Sequence, residues 1–218
     1  MQNVTIPDYT KGEERFNWIT HGAGAVLSVI GLVLALIIAW GSTPLAIVSV
    51  AVYGVTMILL YTMSAVYHAV PKDAPAKKVM RVFDHCTIFL LIAGTYTPFS
   101  LITLKNAVPW LGWTVFAAEW TFAVAGIILN IIDLKKFGKI SMACYLAMGW
   151  CAVLSITVLV KNMLLGGLIL LFAGGVAYTV GAAFYGFGKR KKYIHSVWHL
   201  FVLLGSVLMF LSVVLYVL

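Results

Sequence analysis

The last thirty residues, KRKKYIHSVWHLFVLLGSVLMFLSVVLYVL (189–218), place a basic cluster directly before an uninterrupted apolar run. The run from 194 to 217 is long enough to cross the hydrocarbon core of a bilayer as a helix, which takes about 20 residues. Lys and Arg collect on the cytosolic side of membrane helices. The stretch therefore predicts a membrane-spanning helix that begins in the cytosol and ends outside.

The rest of the chain has the same character. Of its 218 residues, 62% are hydrophobic and only 10% are charged, whereas a soluble domain carries about 25% charged residues. We expect an all-α membrane protein, a single seven-transmembrane helix bundle over residues 1–218 with no second domain. The predicted spans lie near residues 17–40, 44–69, 82–104, 108–132, 140–160, 163–186 and 194–217.

The distribution of basic residues predicts the orientation of the bundle. Every Lys and Arg except Lys105 and Lys161 falls on one side of the predicted spans, which places the N-terminus in the cytosol and the C-terminus outside. Residues 1–16 then form a cytosolic N-terminal segment, and we expect no cleavable signal because the apolar run after Arg15 is longer than a signal core. The formal charge of +8 is explained by topology and indicates no nucleic-acid partner.

Ionisable residues inside the spans are few, and most share one depth. Ser64 and His68 lie four apart near the cytosolic end of the second span, and Asp84 enters the third span at the matching depth. His195 and His199 lie four apart at the cytosolic start of the seventh span, on one helical face. Burying such groups in a bilayer is costly, so they are candidates for function.

Three histidines and a carboxylate at one depth favour a metal site, although single histidines are also common at membrane interfaces. Zinc fits best, because three imidazoles leave a fourth position open for a water whose pKa falls to about 7. Ser196 stands where an HExxH motif has its glutamate, so Asp84 is the candidate general base. The Ser64 hydroxyl could stabilise an oxyanion or bond back to its own helix.

Further polar residues extend this layer. Glu14, Asn17 and His21 lie on one side of the first span at its cytosolic end, where they could orient the metal ligands or form a capping network. His85 is rotated by about 100° from Asp84, which makes it a poor fourth ligand. Glu119, near the middle of the fourth span, lies far in depth from the cluster. Cys86, Cys144 and Cys151 offer no metal pair and are expected to be buried packing residues.

Four segments together resemble a known family. The chain is similar to the hemolysin III proteins, the bacterial branch of the progestin and adipoQ receptor (PAQR) group, which is more distantly related to alkaline ceramidases. The resemblance covers essentially the whole chain. The matching segments are ERFNWITH (14–21), MSAVYH (63–68), FDHCTIFLLIAGTYTPF (83–99) and HSVWHLF (195–201).

The resemblance implies a chemistry as well as a fold. It implies zinc held by His68, His195 and His199, with Asp84 acting through the metal-bound water and Ser64 beside it. It also implies a multi-pass protein of the bacterial plasma membrane, with a site open to lipid. Hydrolysis of a lipid amide or ester bond is the expected reaction, and a membrane lipid is the expected substrate or ligand.

Two other functions remain open on the sequence. The family name asserts a pore-forming hemolysin, although no long amphipathic segment is available to line an aqueous channel. A sensor or regulator of membrane lipid state, with zinc in a structural role, is the other alternative. No sequence feature indicates an oligomeric state.

Overall fold

A computed structural model describes residues 4–187 and 191–218, and for Phe187 the backbone alone. Within these ranges the protein is helical, and six helices are long and apolar enough to cross a membrane. The expected all-α class is therefore confirmed. The helices are α1 (Lys11–Ile38), α2 (Pro44–Ala69), α3 (Ala76–Pro98), α4 (Lys105–Ala107), α5 (Pro109–Gly149), α6 (Ile156–Asn162), α7 (Leu165–Phe187) and α8 (Ile194–Tyr216).

The first helix begins before the predicted span, inside the segment expected to precede it. Thr10 and Glu13 form a capping box, in which each side chain accepts a hydrogen bond from the other residue's backbone N–H. This motif satisfies the free N–H groups that open a helix. Helix α1 therefore starts at Lys11, about three turns before His21, and includes Glu14 in its first turn.

The third span ends in an irregular segment. Pro98 has no N–H to donate and its ring crowds the preceding turn. The chain continues as a π-helix over Phe99–Leu104, inside the predicted span 82–104. A wider helical turn therefore follows this proline.

Helix α5 contains the break expected between the fourth and fifth spans. Asp133 has extended backbone angles (φ −158°, ψ 93°) within an otherwise helical stretch. The Ser141 hydroxyl donates to Asn130 Oδ1 at 2.6 Å, yet in a straight helix these residues would be about 16 Å apart. The chain therefore turns back at Asp133, whose Oδ1 accepts the Lys136 N–H at 2.9 Å and caps the second half of the helix.

Helices that are close in the chain pack against each other, and the last helix also packs against the first. Helix α1 packs on α2, α2 on α3, α3 on α5 and α7 on α8, while α8 returns to α1. At the contact of α1 with α2, a Cβ on Gly24 would lie 2.6 Å from Tyr61 Cδ1. The two helices can approach this closely because the position has no side chain.

The outer surface is strongly apolar. On α1 alone, Val26, Ile30, Val33 and Ile37 are each at least half exposed. Soluble monomers rarely expose contiguous apolar patches of this kind. The helices therefore face lipid, and the protein is a multi-pass membrane protein. Lys189 and Arg190, which contributed to the predicted orientation, lie outside the described residues.

Candidate metal centre

Three histidines meet where the end of α2 lies beside the start of α8. His195 Nε2 is 3.2 Å from His68 Nε2 and 3.1 Å from His199 Nε2. One nitrogen from each ring lies within 4.8 Å of the others. His68 and His199 are buried, at 2% and 1% exposure, while His195 is partly buried. The helical spacing of four supplies two members, and the packing of α8 near α2 supplies the third.

These separations suit a small tetrahedral metal ion. Nitrogens at the usual 2.0–2.1 Å from zinc lie about 3.3 Å from one another. Nitrogens this close without a proton or metal between them would repel through their lone pairs. Neutral imidazole is also the form that binds transition metals. The donor set therefore fits a metal held by His68, His195 and His199.

Glu14 fixes the ring of His68. The Nδ1–H of His68 donates to Glu14 Oε2 at 2.5 Å. Because a carboxylate can only accept, the Nδ1 of His68 carries the proton and its Nε2 lone pair faces the other two histidines. A hydrogen bond of this kind orients the ring and increases its basicity as a ligand.

Lys77 holds the other oxygen of Glu14. Its Nζ donates to Glu14 Oε1 at 2.8 Å and to the carbonyls of Tyr67 and Val70 at 2.7 and 2.9 Å. The Lys77 side chain is fully buried, and these three acceptors satisfy the hydrogen-bonding capacity of its ammonium group. From the sequence, Lys77 was only one more basic residue of a cytosolic loop. No local pattern distinguishes it, because its partners lie on α1 and at the end of α2.

The other two residues predicted to orient the ligands make different contacts. Asn17 Oδ1 accepts a hydrogen bond from Ser196 Oγ at 2.7 Å, which ties α1 to the residue beside His195. The ring of His21 stacks on that of His199, with centroids 3.6 Å apart and planes 16° apart. Neither nitrogen of His21 has a hydrogen-bond partner within residues 4–187 and 191–218.

The N-terminal segment covers the histidines. The ring of Tyr9 stacks on His195 at a centroid distance of 5.0 Å and lies 5.7 Å from His68. Burial raises the pKa of the Tyr9 phenol above its ordinary value, so the cover is neutral. Sequence reasoning missed this residue because Tyr9 lies outside every predicted span.

A cavity joins two of the three histidines, His195 and His199, to the candidate catalytic residues. It has a volume of about 600 Å³, and its lining includes His195, His199, Ser64 and Asp84. Along α8 the lining continues from His195 to Met209, a distance of about 21 Å at the rise of an α-helix. The structure thus brings together residues that the sequence assigned to one depth, and it adds a long apolar extension.

The profile of the family described as Haemolysin-III related matches residues 9–210, which include every residue of the site. The chain belongs to the haemolysin-III related family. It is 46% identical over 209 residues to Hemolysin-3 of Bacillus cereus, covering 94% of this chain and 92% of that one. It is 40% identical to the Hemolysin-3 homolog of Bacillus subtilis (strain 168), covering 95% and 96%.

A more distant relative extends the likeness beyond bacteria. The chain is 28% identical over 159 residues to the human Monocyte to macrophage differentiation factor, covering 69% of this chain and 63% of that protein. This similarity supports the expected relation of the haemolysin-III related family to the PAQR group.

In this haemolysin-III related protein the Ser64 hydroxyl is available for the cavity. Ser28 and Ser49 donate to the carbonyls four residues before them. Ser64 makes no such bond in the described part of the chain, although its side chain is buried. The sequence left two roles open for Ser64. Among the residues it describes, the structure does not show the hydrogen bond from its hydroxyl to a carbonyl of its own helix.

Two other titratable residues, His85 and Glu119, are not among the three converging histidines, although His85 lines the same cavity. His85 Nδ1 contacts the carbonyl of Arg81 at 2.9 Å and lies 3.6 Å from Asp84 Oδ2, so the ring turns along its own helix. Glu119 is buried at 2% exposure but is not part of the cavity lining. Its depth keeps it away from the metal centre, as its position in the fourth predicted span indicated.

Proposed function

We propose that this protein is a zinc-dependent hydrolase of lipid amide or ester bonds, acting inside the membrane near its cytosolic face. The observation that carries the proposal is the cavity, whose lining connects His195 and His199 of the metal centre, together with Asp84 and Ser64, to a long apolar wall. A polar reacting end joined to an apolar chain is the shape of a lipid. Water-filled pores and rigid structural sites do not need this combination.

The proposal includes seven spans with the N-terminus in the cytosol. The turn at Asp133 supports dividing α5 into two antiparallel spans, because Asn130 meets Ser141 across it. The starts of α1 and α3 and the end of α2 meet at Glu14. The N–H of Tyr193, directly before α8, donates to Glu13 Oε1 at 2.7 Å, and these contacts support a common level for the basic loops. The orientation can be tested by introducing Lys136→Cys or Lys161→Cys, one at a time, into a chain whose native cysteines have been replaced. A membrane-impermeant thiol reagent added outside intact cells should label only position 161.

The reaction follows from the residues around the cavity. Zinc, when bound to the three histidines, would supply a Lewis acid and an acidified water. Asp84 takes the proton as water attacks the substrate carbonyl, and then passes it to the leaving amine or alcohol. Ser64 donates a hydrogen bond to the oxyanion that develops on the carbonyl oxygen. The apolar wall holds the chain in register with these groups and excludes bulk water.

The decisive experiment combines metal analysis with turnover. Purified native protein should contain zinc in stoichiometric amount and should hydrolyse members of a panel of lipid amides and esters. Asp84→Asn should retain zinc and lose at least about 100-fold in turnover, the usual contribution of a general base. Zinc content without hydrolysis across broad panels would contradict the enzyme.

The same material tests the two alternatives. The Bacillus cereus relative is named a hemolysin, and ion conductance in liposomes that persists after zinc removal would favour a pore. A structural zinc in a lipid sensor would make His199→Ala unfold or lose thermal stability. A catalytic zinc predicts that His199→Ala abolishes turnover while most of the helical structure remains.

A further inference from the structure

The cytosolic mouth of the cavity carries an excess of positive charge. The mouth lies between the N-terminal segment at Thr5, the first turns of α3 and the second half of α5. Its charged lining residues, in the part of the chain that the structure describes, are three cations and one carboxylate. They are Arg81, Asp84, Lys135 and Lys139.

Within this set, Arg81 has buried hydrogen-bond donors without acceptors among the described residues. Its Nε and Nη1 atoms are buried, and neither has a hydrogen-bond partner among residues 4–187 and 191–218. A buried donor without a partner costs free energy, and more when the group is charged. Asp84, three residues on, does not form an ion pair with it in the same ranges. The guanidinium is therefore poised to accept an anionic partner from the cavity.

The two lysines complete an arc around the mouth. Lys135 and Lys139 are four apart on the capped second half of α5, so both face the same direction. Both are exposed, whereas the guanidinium of Arg81 lies deeper. An oxyanion in the mouth would meet a planar, bidentate donor on one side and two mobile ammonium groups on the other. Arg suits phosphate geometrically, and Lys acts as a point charge.

The wall behind this mouth is apolar. Ile88, Ile92 and Leu146 line the cavity beyond Arg81. A ligand that fills both regions has a phosphate group joined to a hydrocarbon chain. We propose that the mouth formed by Arg81, Lys135 and Lys139 binds the phosphate of an anionic membrane lipid, with the chain of that lipid in the cavity. The inference rests on the proposed function only in treating the bound lipid as its substrate.

Lipid binding can be measured without turnover. Full-length protein, stripped of metal with a chelator, is titrated in detergent with dioleoyl phosphatidic acid and with dioleoylglycerol, which has the same chains and no phosphate. Bound lipid is counted by native mass spectrometry. The wild type should bind the phosphatidic acid more tightly than the dioleoylglycerol. Equal affinity for the two lipids would overturn the proposal.

Variants assign the effect to the mouth. Arg81→Gln should weaken phosphatidic acid binding by about tenfold or more, because each hydrogen bond to a charged group is lost, and should leave dioleoylglycerol unchanged. Lys161 is an exposed cation expected on the opposite side of the membrane. Lys161→Gln should leave the affinity for both lipids unchanged. Unaltered phosphatidic acid binding in Arg81→Gln, or an equal loss for both lipids, would contradict the site.

Exposed positions keep the test valid if Arg81→Gln does not fold. Lys135→Gln and Lys139→Gln should each weaken phosphatidic acid binding by about fivefold, and unchanged binding in both would overturn the proposal. Inorganic phosphate should compete only weakly, since it cannot use the apolar wall. If it displaces the lipid at equal concentration, the site belongs to free phosphate. Arg81-dependent binding with no hydrolysis would retain this site while contradicting the proposed enzyme.

Discussion

Glu14 Oε2 and His68 Nδ1 lie 2.5 Å apart although 54 residues separate them in the chain. The contact connects the start of α1 to the end of α2 and sets which nitrogen of His68 faces the other histidines. It therefore links the packing of two helices to the metal-binding form of one ring. We therefore expect substitutions of Glu14 to lower the affinity for the metal ion before they alter other properties.

Glu14→Gln should weaken zinc binding by about 10-fold to 100-fold, the usual cost of removing a residue that orients a metal ligand. An amide accepts less strongly than a carboxylate and leaves Lys77 without a counter-charge. Zinc retained by purified protein against chelators of graded strength measures the change. Asp8→Asn is the control, because Asp8 forms an exposed ion pair with Lys72. Equal zinc retention in Glu14→Gln and wild type would contradict the role of Glu14.

Lys77→Met should lower the free energy of unfolding by about 3–5 kcal/mol, because it leaves the Glu14 carboxylate without its buried partner. The same substitution also frees the carbonyls of Tyr67 and Val70 at the end of α2. Denaturant unfolding in detergent measures the loss. Lys78→Met is a matched control at an exposed neighbouring position, where we expect a change within about 0.5 kcal/mol.

A double substitution separates the two contributions of Lys77. If the ion pair with Glu14 matters, Glu14→Gln should cost less stability in the Lys77→Met background than in the wild type. Additive losses would show that Lys77 acts only through the two carbonyls.

His21→Phe should leave zinc content at the wild-type level, since phenylalanine preserves the stack on His199 and His21 is not one of the three converging ligands. His199→Phe should lose zinc. Metal analysis of the two purified variants gives the comparison. Loss of zinc from His21→Phe at unchanged thermal stability would instead place His21 among the ligands.

The sequence could predict the layer of polar residues because topology alone sets it. His68, Asp84 and His195 each lie near a span end on the same side, so alternating helices bring them to one depth. Glu14 followed from helical spacing. By contrast, Lys77 and Arg81 look alike in the sequence as members of a basic loop. Which of them is neutralised by a carboxylate depends on side-chain packing between separate helices, and no local pattern encodes it.

Span boundaries show a similar division. A span beginning at residue 44 and a break between residues 132 and 140 were predicted, and α2 begins at Pro44 while Asp133 interrupts α5. The start of α1 at Lys11 was not predicted, because the capping box of Thr10 and Glu13 begins the helix before the predicted span. Tyr9 was missed for the same reason. Its contact with His195 depends on where that cap points the preceding residues.

The cap at Asp133 is a separate, testable feature of the fold. Asp133→Ala should lower the free energy of unfolding by about 0.5–2 kcal/mol, because the Lys136 N–H loses its acceptor. Asp133→Asn should be nearly neutral, since asparagine caps a helix about as well as aspartate. Denaturant unfolding compares the two. If alanine is as stable as asparagine, the turn does not depend on this cap, and the hydrogen bond between Ser141 and Asn130 would have to hold the two halves of α5 together.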